Sequence, residues 1–293
     1  MKFIQGIKEI ADNYEYFIFD VWGVIHDGVT AYPGAAEAVA FLRSKGKKIC
    51  FLSNAPRRAH KVAEVLKKHN VTPNLYDFIL TSGEAAFLDL EKNQKNNYQN
   101  FGKNYFYIGP KKDMDLLEGL DYVRVESASL ADFAITTGFD HDFSTLEEKM
   151  PDALEAKKYN LPMICVNPDL IVIKQDGHEM ICAGALAREY ERLGGEVIYY
   201  GKPFNLVYKM TCEISQNFDN EKIIAIGDGL ETDIKGAVDF GIDSVLVTGG
   251  ILSNILEVNY TQTADRSKLE AVCNDYQLFP QLLAVIIHPL VFQ

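Results

Sequence analysis

Tyr16-Phe17-Ile18-Phe19-Asp20-Val21-Trp22-Gly23-Val24 is the stretch on which the reading of this chain turns. Four successive apolar residues close on a carboxylate. Apolar side chains on consecutive positions suit a strand covered on both faces, as in a parallel sheet flanked by helices. The run Tyr16 to Val24 therefore predicts a first strand. Moving outward, the pattern predicts a helix over Ala35 to Ser44, a strand over Lys47 to Leu52, a helix over Arg57 to Lys68 and a short strand over Phe78 to Thr81. The same alternation returns late in the chain: a strand over Lys222 to Ile226, a helix over Thr232 to Phe240, and a strand over Asp243 to Val247 ending at Gly249 and Gly250. Strands alternating with helices predict an α/β fold built on a parallel sheet.

Between these halves lie predicted strands at Tyr105 to Ile108, Phe133 to Thr136, Met163 to Val166 and Leu170 to Ile173, and a helix at Ala183 to Arg192. Asn, Gln and Lys crowd together from Glu91 to Asn104 without apolar periodicity, which predicts an exposed loop. Asp176-Gly177-His178 reads as a hairpin turn. A chain of 293 residues is too long for one small binding module. An inserted domain over residues 82–198 would leave a discontinuous host of 1–81 and 199–293, both of ordinary domain size.

Composition excludes several classes. At 47% hydrophobic and 24% charged residues the chain can bury a core, which argues against disorder. A formal net charge of -12 repels phosphate backbones, so no nucleic acid partner is expected. No run approaches the ~20 apolar residues of a membrane span, and Met1-Lys2-Phe3-Ile4-Gln5-Gly6 does not resemble a signal peptide; a cytoplasmic protein with no membrane partner is expected. The apolar stretch Leu282 to Val291 is cut by Pro289 and is expected to dock on the core. Five scattered cysteines, Cys50, Cys165, Cys182, Cys212 and Cys273, lack any Cys-x-x-Cys spacing and read as buried thiols in a reducing compartment.

Ligands of open α/β sheets bind beyond the carboxyl ends of the strands. Four such ends carry polar groups: Asp20; Ser53 and Asn54; Lys202 after Val-Ile-Tyr-Tyr-Gly; and Asp228 with Asp233 in Gly-Asp-Gly-Leu-Glu-Thr-Asp. Singly, each has an ordinary explanation as a helix cap, a turn or a surface charge. Together they suit phosphoryl chemistry. Carboxylates hold a hard Mg²⁺, a lysine and a hydroxyl bind phosphate oxygens, and one carboxylate can act as nucleophile.

The four segments, in this order, resemble motifs one to four of the haloacid dehalogenase (HAD) superfamily. The insert resembles the α/β cap of its class IIA, or NagD-like, branch. Tyr32-Pro33-Gly34-Ala35, Thr81-Ser82-Gly83, Asn167-Pro168-Asp169 and Gly201-Lys202-Pro203 are similar to that branch as well. The resemblance implies a Rossmann-like core with an inserted cap. It implies that Asp20 is the nucleophile and a Mg²⁺ ligand, that Asp228 and the backbone carbonyl of Trp22 are further ligands, and that Asp233 orients a metal-bound water or Lys202. Ser53 and Lys202 would hold the phosphoryl group, with Asn54 contributing through its amide. A homodimer through the cap is a further expectation of the resemblance.

One position departs from the pattern. Family phosphatases carry a second Asp two residues after the nucleophile, as acid and base, where this chain has Trp22 in a wording that resembles a largely uncharacterised class IIA subgroup. An indole N–H only donates hydrogen bonds and is no acid near pH 7. General acid–base help contributes ~10²–10⁴-fold, so slow turnover is expected unless His26, Asp27, Asp169 or His178 substitutes. The resulting expectation is a Mg²⁺-dependent phosphatase of small phosphorylated metabolites. The alternative is a non-catalytic phosphometabolite-binding or sensor protein on the same fold.

Overall fold

The computed structural model describes residues 2–4, 6–96, 101–174, 178–215, 219–258, 262, 264–280 and 282–284. Strand β1 (Lys2–Ile4) leads to β2 (Tyr16–Phe19), then α1 (Ala35–Ser44), β3 (Lys48–Ser53), α2 (Ala59–Lys68) and β4 (Phe78–Thr81). The chain leaves this layer through α3 (Ser82–Asn96) and forms β5 (Asn104–Ile108), β6 (Val123–Val125), β7 (Phe133–Thr136), α4 (Leu146–Lys158) and β8 (Met163–Cys165). A small hairpin of β9 (Ile171–Ile173) and β10 (Glu179–Ile181) precedes α5 (Ala183–Arg192) and β11 (Val197–Tyr199). The return runs through α6 (Asn205–Ile214), β12 (Ile223–Gly227), α7 (Lys235–Phe240), β13 (Asp243–Val247), α8 (Ser253–Leu256), α9 (Arg266–Tyr276) and β14 (Leu282–Ala284).

Two parallel sheets result. Seven strands from both ends of the chain stand in the order β1-β14-β13-β12-β2-β3-β4, and five from the middle in the order β11-β8-β7-β5-β6. Alternation along β2 explains why helices cover both faces of the large sheet. Phe17 and Phe19 join Leu42 of α1 and Leu66 of α2 on one side, whereas Tyr16 and Ile18 join Leu90 of α3 and Tyr208 of α6 on the other. The second cluster runs on into the middle sheet through Phe133, Ile135 and Ile164. The opposite face of that sheet packs Met163 and Cys165 against Ala153 of α4 and Leu186 of α5.

Where the elements differ from their sequence reading, a local cause is visible. β2 stops at Phe19 because the chain turns at once: Gly23 adopts φ +83°, its N–H donates to His26 O (2.9 Å), and Ile25 N–H donates to Val21 O (2.9 Å). The loop expected from Glu91 to Asn104 is helical as far as Asn96, and Asn104 already opens β5. Leu90 and Asn93, three residues apart, are buried on one face, so tertiary packing overrides the polar composition there. The helix expected from Thr232 starts as a wide turn in which Ile234 N–H reaches Gly229 O, five residues back (3.1 Å). Leu282–Ala284 docks as a strand between β13 and β1, while residues 285–293 lie outside the described residues. The expected turn at Asp176 and Gly177 also lies outside them; β9 and β10 on either side pair antiparallel. All five cysteines are buried and free.

Glu84, in the first turn of α3, ties the exit from the large sheet to α2. Its carboxylate accepts from Arg58 Nε (2.8 Å), Arg58 Nη2 (3.1 Å) and the Ala59 N–H (2.9 Å) at the start of α2. Charge-assisted bonds of this kind contribute more than neutral ones, and the carboxylate also caps one otherwise free helical N–H. Glu84→Ala is expected to destabilise the fold by about 1–3 kcal/mol, read as a lower denaturant midpoint at unchanged m-value.

Candidate active site

Parallel pairing of β2 with β12 and β3 sets the site, because each strand delivers its polar end to one edge of the sheet. The Asp20 N–H donates to Ile226 O of β12 (2.8 Å), bringing the segment after β2 level with the Gly227-Asp228 end of β12. Carboxylate oxygens of Asp20, Asp228 and Asp233 lie within 4.8 Å of one another, all buried. Lys202, 3% exposed and contributed by the loop after β11, donates from Nζ to Asp20 Oδ1 (2.6 Å) and Asp233 Oδ1 (2.7 Å). Asp233 Oδ2 accepts the Gly229 N–H (3.1 Å), and Asp228 Oδ2 accepts the Ile251 N–H (2.6 Å). Gly23 and Gly250 leave room for the Asp228 carboxylate, since a Cβ at either would come within 1.9 and 2.1 Å of Oδ2.

Three carboxylates face one ammonium, an imbalance that shifts the titration of each group. Burial raises Asp20 to about 7, Lys202 pulling it down and Asp233 pushing it up. Asp228 stands well above the usual carboxylate range through burial and the neighbouring charges of Asp20 and Asp233. Burial would lower Lys202, but Asp20 and Asp233 more than offset it and hold the ammonium charged. With all three carboxylates ionised the cluster carries an excess of two negative charges. Lys202 bonds one oxygen of Asp20 and the Ile251 N–H one oxygen of Asp228, so three buried carboxylates still outnumber their one cation, and the donor set is hard, anionic and matched in charge to a divalent cation such as Mg²⁺.

Ser53 ends β3 beside this cluster, its Oγ accepting the Ala55 N–H (3.3 Å). Asn54, expected to contribute through its amide, follows Ser53 with its side-chain amide already bonded within the protein. Its Oδ1 accepts the Lys202 N–H (2.7 Å), and its Nδ2 donates to Lys202 O (3.1 Å) and to Asp169 Oδ1 (2.8 Å). The amide is spent on positioning Lys202 and the Asn167-Pro168-Asp169 segment. Trp22 leans across the turn, its ring against Gly28 and edge-on to His26, and its Nε1–H donates to Ile173 O of β9 (3.1 Å).

The other candidate acids are occupied. His26 Nδ1 accepts the Gly28 N–H (2.8 Å), its ring stacks on His69, and burial lowers it to about 4, so the imidazole is neutral. Asp27 Oδ1 accepts the Val29 and Thr30 N–H groups and shapes the turn. A ring nitrogen of His178 lies 2.9 Å from Asp142 O. Asp169 lines the same cavity as Asp20, a cleft of about 1270 Å³ between the large sheet and the middle segment. Of the supporting groups, Asp169 was marked in sequence by its Asn-Pro-Asp triplet, whereas the paired glycines after β13 gave no sign that their neighbour Ile251 holds Asp228.

Residues 17–123 match the family model for haloacid dehalogenase-like hydrolases, and residues 199–276 a HAD-hydrolase-like model. Among curated proteins the chain is 27% identical to phosphoglycolate phosphatase 2 of Arabidopsis thaliana, over 86% of this chain and 89% of that one. It is 27% identical to the ribonucleotide monophosphatase NagD of Escherichia coli, over 80% and 88%. Among solved structures, a haloacid dehalogenase-like hydrolase from Brucella suis superposes with a TM-score of 0.81 at 29% identity, covering 97% of this chain and 99% of that one. No helix among the described residues is long and apolar enough to cross a membrane.

The crowded carboxylates predict a thermal signature. In the folded, metal-free protein Asp228 keeps its proton to higher pH than in the unfolded chain, so the cluster costs stability as pH rises from the ordinary carboxylate range towards 7 and above. Asp228→Asn should raise the EDTA-treated Tm at pH 8 by about 2–4 °C, the gain shrinking towards pH 5, and should abolish the further rise that millimolar Mg²⁺ gives the wild type.

Proposed function

The chain belongs to the haloacid dehalogenase-like hydrolases of the NagD-like branch, and from that premise we propose that it is a Mg²⁺-dependent phosphatase of small phosphorylated metabolites acting through an aspartyl-phosphate on Asp20. The observation that carries this reading is the buried Lys202 ammonium held between Asp20 and Asp233, next to Asp228. The names of relatives such as phosphoglycolate phosphatase 2 and the ribonucleotide monophosphatase NagD support it.

Asp20 Oδ2, the carboxylate the lysine leaves open, attacks phosphorus. Lys202 neutralises Asp20 Oδ1 and the approaching phosphoryl oxygens, and its buried position makes that charge count for more than it would in water. Ser53 Oγ–H, at the end of β3 in the same cleft, suits a remaining phosphoryl oxygen. Asp20, Asp228 and the Trp22 carbonyl would hold Mg²⁺, with Asp233 fixing Lys202 behind them. The ion supplies Lewis acidity and cancels the charge that otherwise repels a phosphate dianion from three carboxylates. The cap covers the cleft and excludes water, and its β9–β10 hairpin, reached by Trp22, forms part of the surface that meets the rest of the substrate. The remaining expectations, a core of 1–81 and 199–293, a cap of 82–198, a homodimer through the cap and a cytoplasmic location, belong to the same proposal.

p-Nitrophenyl phosphate, whose leaving group departs without a proton, tests it. Wild-type protein should release p-nitrophenol with Mg²⁺ and stop in EDTA. Asp20→Asn and Lys202→Met should each lower kcat/KM by about 10³-fold or more at unchanged fold by circular dichroism. Metal-independent release, or release unchanged in Asp20→Asn, would overturn the reading.

A further inference from the structure

One short segment of the middle domain is pinned to the large sheet at both ends. At residue 169 the Asn54 amide grips the carboxyl (2.8 Å), and at residue 173 the Trp22 indole N–H grips the Ile173 carbonyl (3.1 Å). The backbone of Asp169 is fixed from its own side as well. Its N–H donates to Asn167 Oδ1 (3.1 Å), and its carbonyl accepts the Gly184 N–H from the start of α5 (3.1 Å). Four bonds thus hold this carboxyl facing the cavity that Asp20 lines. One of its oxygens, Oδ1, is taken by Asn54; Oδ2 has no protein partner among the described residues.

Expelling an alkoxide from phosphorus near neutral pH calls for a proton donor, and the cleft offers few. Asp20, Asp228 and Asp233 are committed to Lys202 and to backbone N–H groups. His26 is neutral with Nδ1 accepting, and Asp27 is committed to its turn. Glu191 accepts from the Tyr199 hydroxyl (2.8 Å). Burial pushes the Tyr32 phenol far above neutrality. Glu179 and Glu231 are exposed. With Asp20, Asp228 and Asp233 assigned to the nucleophile, the metal and Lys202, Asp169 alone among the remaining groups combines a fixed orientation, a place in the cleft and an oxygen without a protein partner among the described residues.

Granting that Asp20 takes the phosphoryl group, we propose that Asp169 is the proton carrier of the reaction, supplied by the cap where Trp22 occupies the position beside the nucleophile. In the first step the bond from Asp20 Oδ2 to phosphorus forms and the ester P–O bond breaks. The leaving oxygen takes the proton of the Asp169 carboxyl and departs as an alcohol. In the second step the Asp169 carboxylate takes a proton from water as its oxygen attacks phosphorus. The Asp20–phosphorus bond breaks, inorganic phosphate leaves, and both carboxyl groups return to their starting states. Trp22 is a positioning residue here, fastening the far end of the segment that carries the acid.

The electrostatics agree with the geometry. Burial raises Asp169 to about 6, with the Asn54 bond and the Lys202 charge pulling down and the Asp233 charge pushing up. Cys165 and Cys182 face it from the cap, and burial keeps both thiols neutral. A substrate dianion beside it favours the protonated form further.

The test compares leaving groups. Asp169→Asn keeps an oxygen for the Asn54 bond and removes only the proton. Its kcat/KM for p-nitrophenyl phosphate should stay within about threefold of wild type, while that for glycerol 3-phosphate should fall by about 10²-fold or more. Its kcat for the nitrophenyl ester should fall behind a burst of about one p-nitrophenol per enzyme, because water activation is lost. In the wild type, kcat/KM for glycerol 3-phosphate should decline as pH rises through the titration of Asp169, with no matching decline for p-nitrophenyl phosphate; this holds the proposal to account even if the variant does not fold. Equal losses on both esters, no loss on glycerol 3-phosphate, or a wild type that cleaves p-nitrophenyl phosphate but no alkyl phosphate would overturn the role of Asp169 and leave the phosphatase reading standing. Absence of any Asp20-dependent hydrolysis would remove both.

Discussion

The buried ammonium of Lys202 is the interaction on which this structure depends. Three carboxylates lie at the carboxyl edge of the large sheet within 4.8 Å of one another, and desolvation makes their mutual repulsion expensive. Lys202 relieves part of it by bridging Asp20 and Asp233 at 2.6 and 2.7 Å. The remaining imbalance is left on Asp228 and on the outer oxygen of Asp20. A fold that only had to be stable would bury no such set, because hydrophobic residues of similar volume usually do at least as well. The surplus negative charge is what the proposed divalent cation, and through it a phosphate, would neutralise.

Keeping Lys202 in place draws in residues far apart in the chain. Asn54, at the end of β3, bonds both the N–H and the carbonyl of Lys202 and also reaches Asp169. One side chain therefore positions a cation of the core and a carboxyl of the cap. Trp22 does the corresponding work two residues beyond Asp20, joining the turn after β2 to the β9–β10 hairpin. The residue that looks in sequence like a lost catalytic group is, in space, a contact between core and cap.

Much of the fold was legible because its signals are local. A parallel sheet covered on both faces must carry apolar residues on consecutive positions, and the helices between its strands must be amphipathic, so β2, β3, β4, β12 and β13 announced themselves. Asp20, Ser53 and Asp228 stood out for the same reason, as polar residues at the ends of apolar runs, where the ligands of such sheets bind. The polar stretch after Glu91 misled because composition says nothing about a helix held by a neighbour, and Leu90 and Asn93 are buried there by contacts from elsewhere in the chain. The commitment of the Asn54 amide was invisible because its partners lie 115 and 148 residues away.

The sequence by itself determined the central strands β2, β3, β4, β12 and β13, that their polar ends fall on one edge, and that these ends carry groups suited to phosphoryl chemistry, since all of this follows from local periodicity and the geometry of parallel pairing; the short strands β1, β6, β10 and β14 gave no such signal. Only the tertiary structure decided which of those groups are free. A hydrogen bond takes up a donor or acceptor wherever its partner happens to be brought by the fold. The long-range pairs Asn54–Asp169, Asn54–Lys202 and Trp22–Ile173 settle which side chains position others and leave Asp169 Oδ2 open to the cleft.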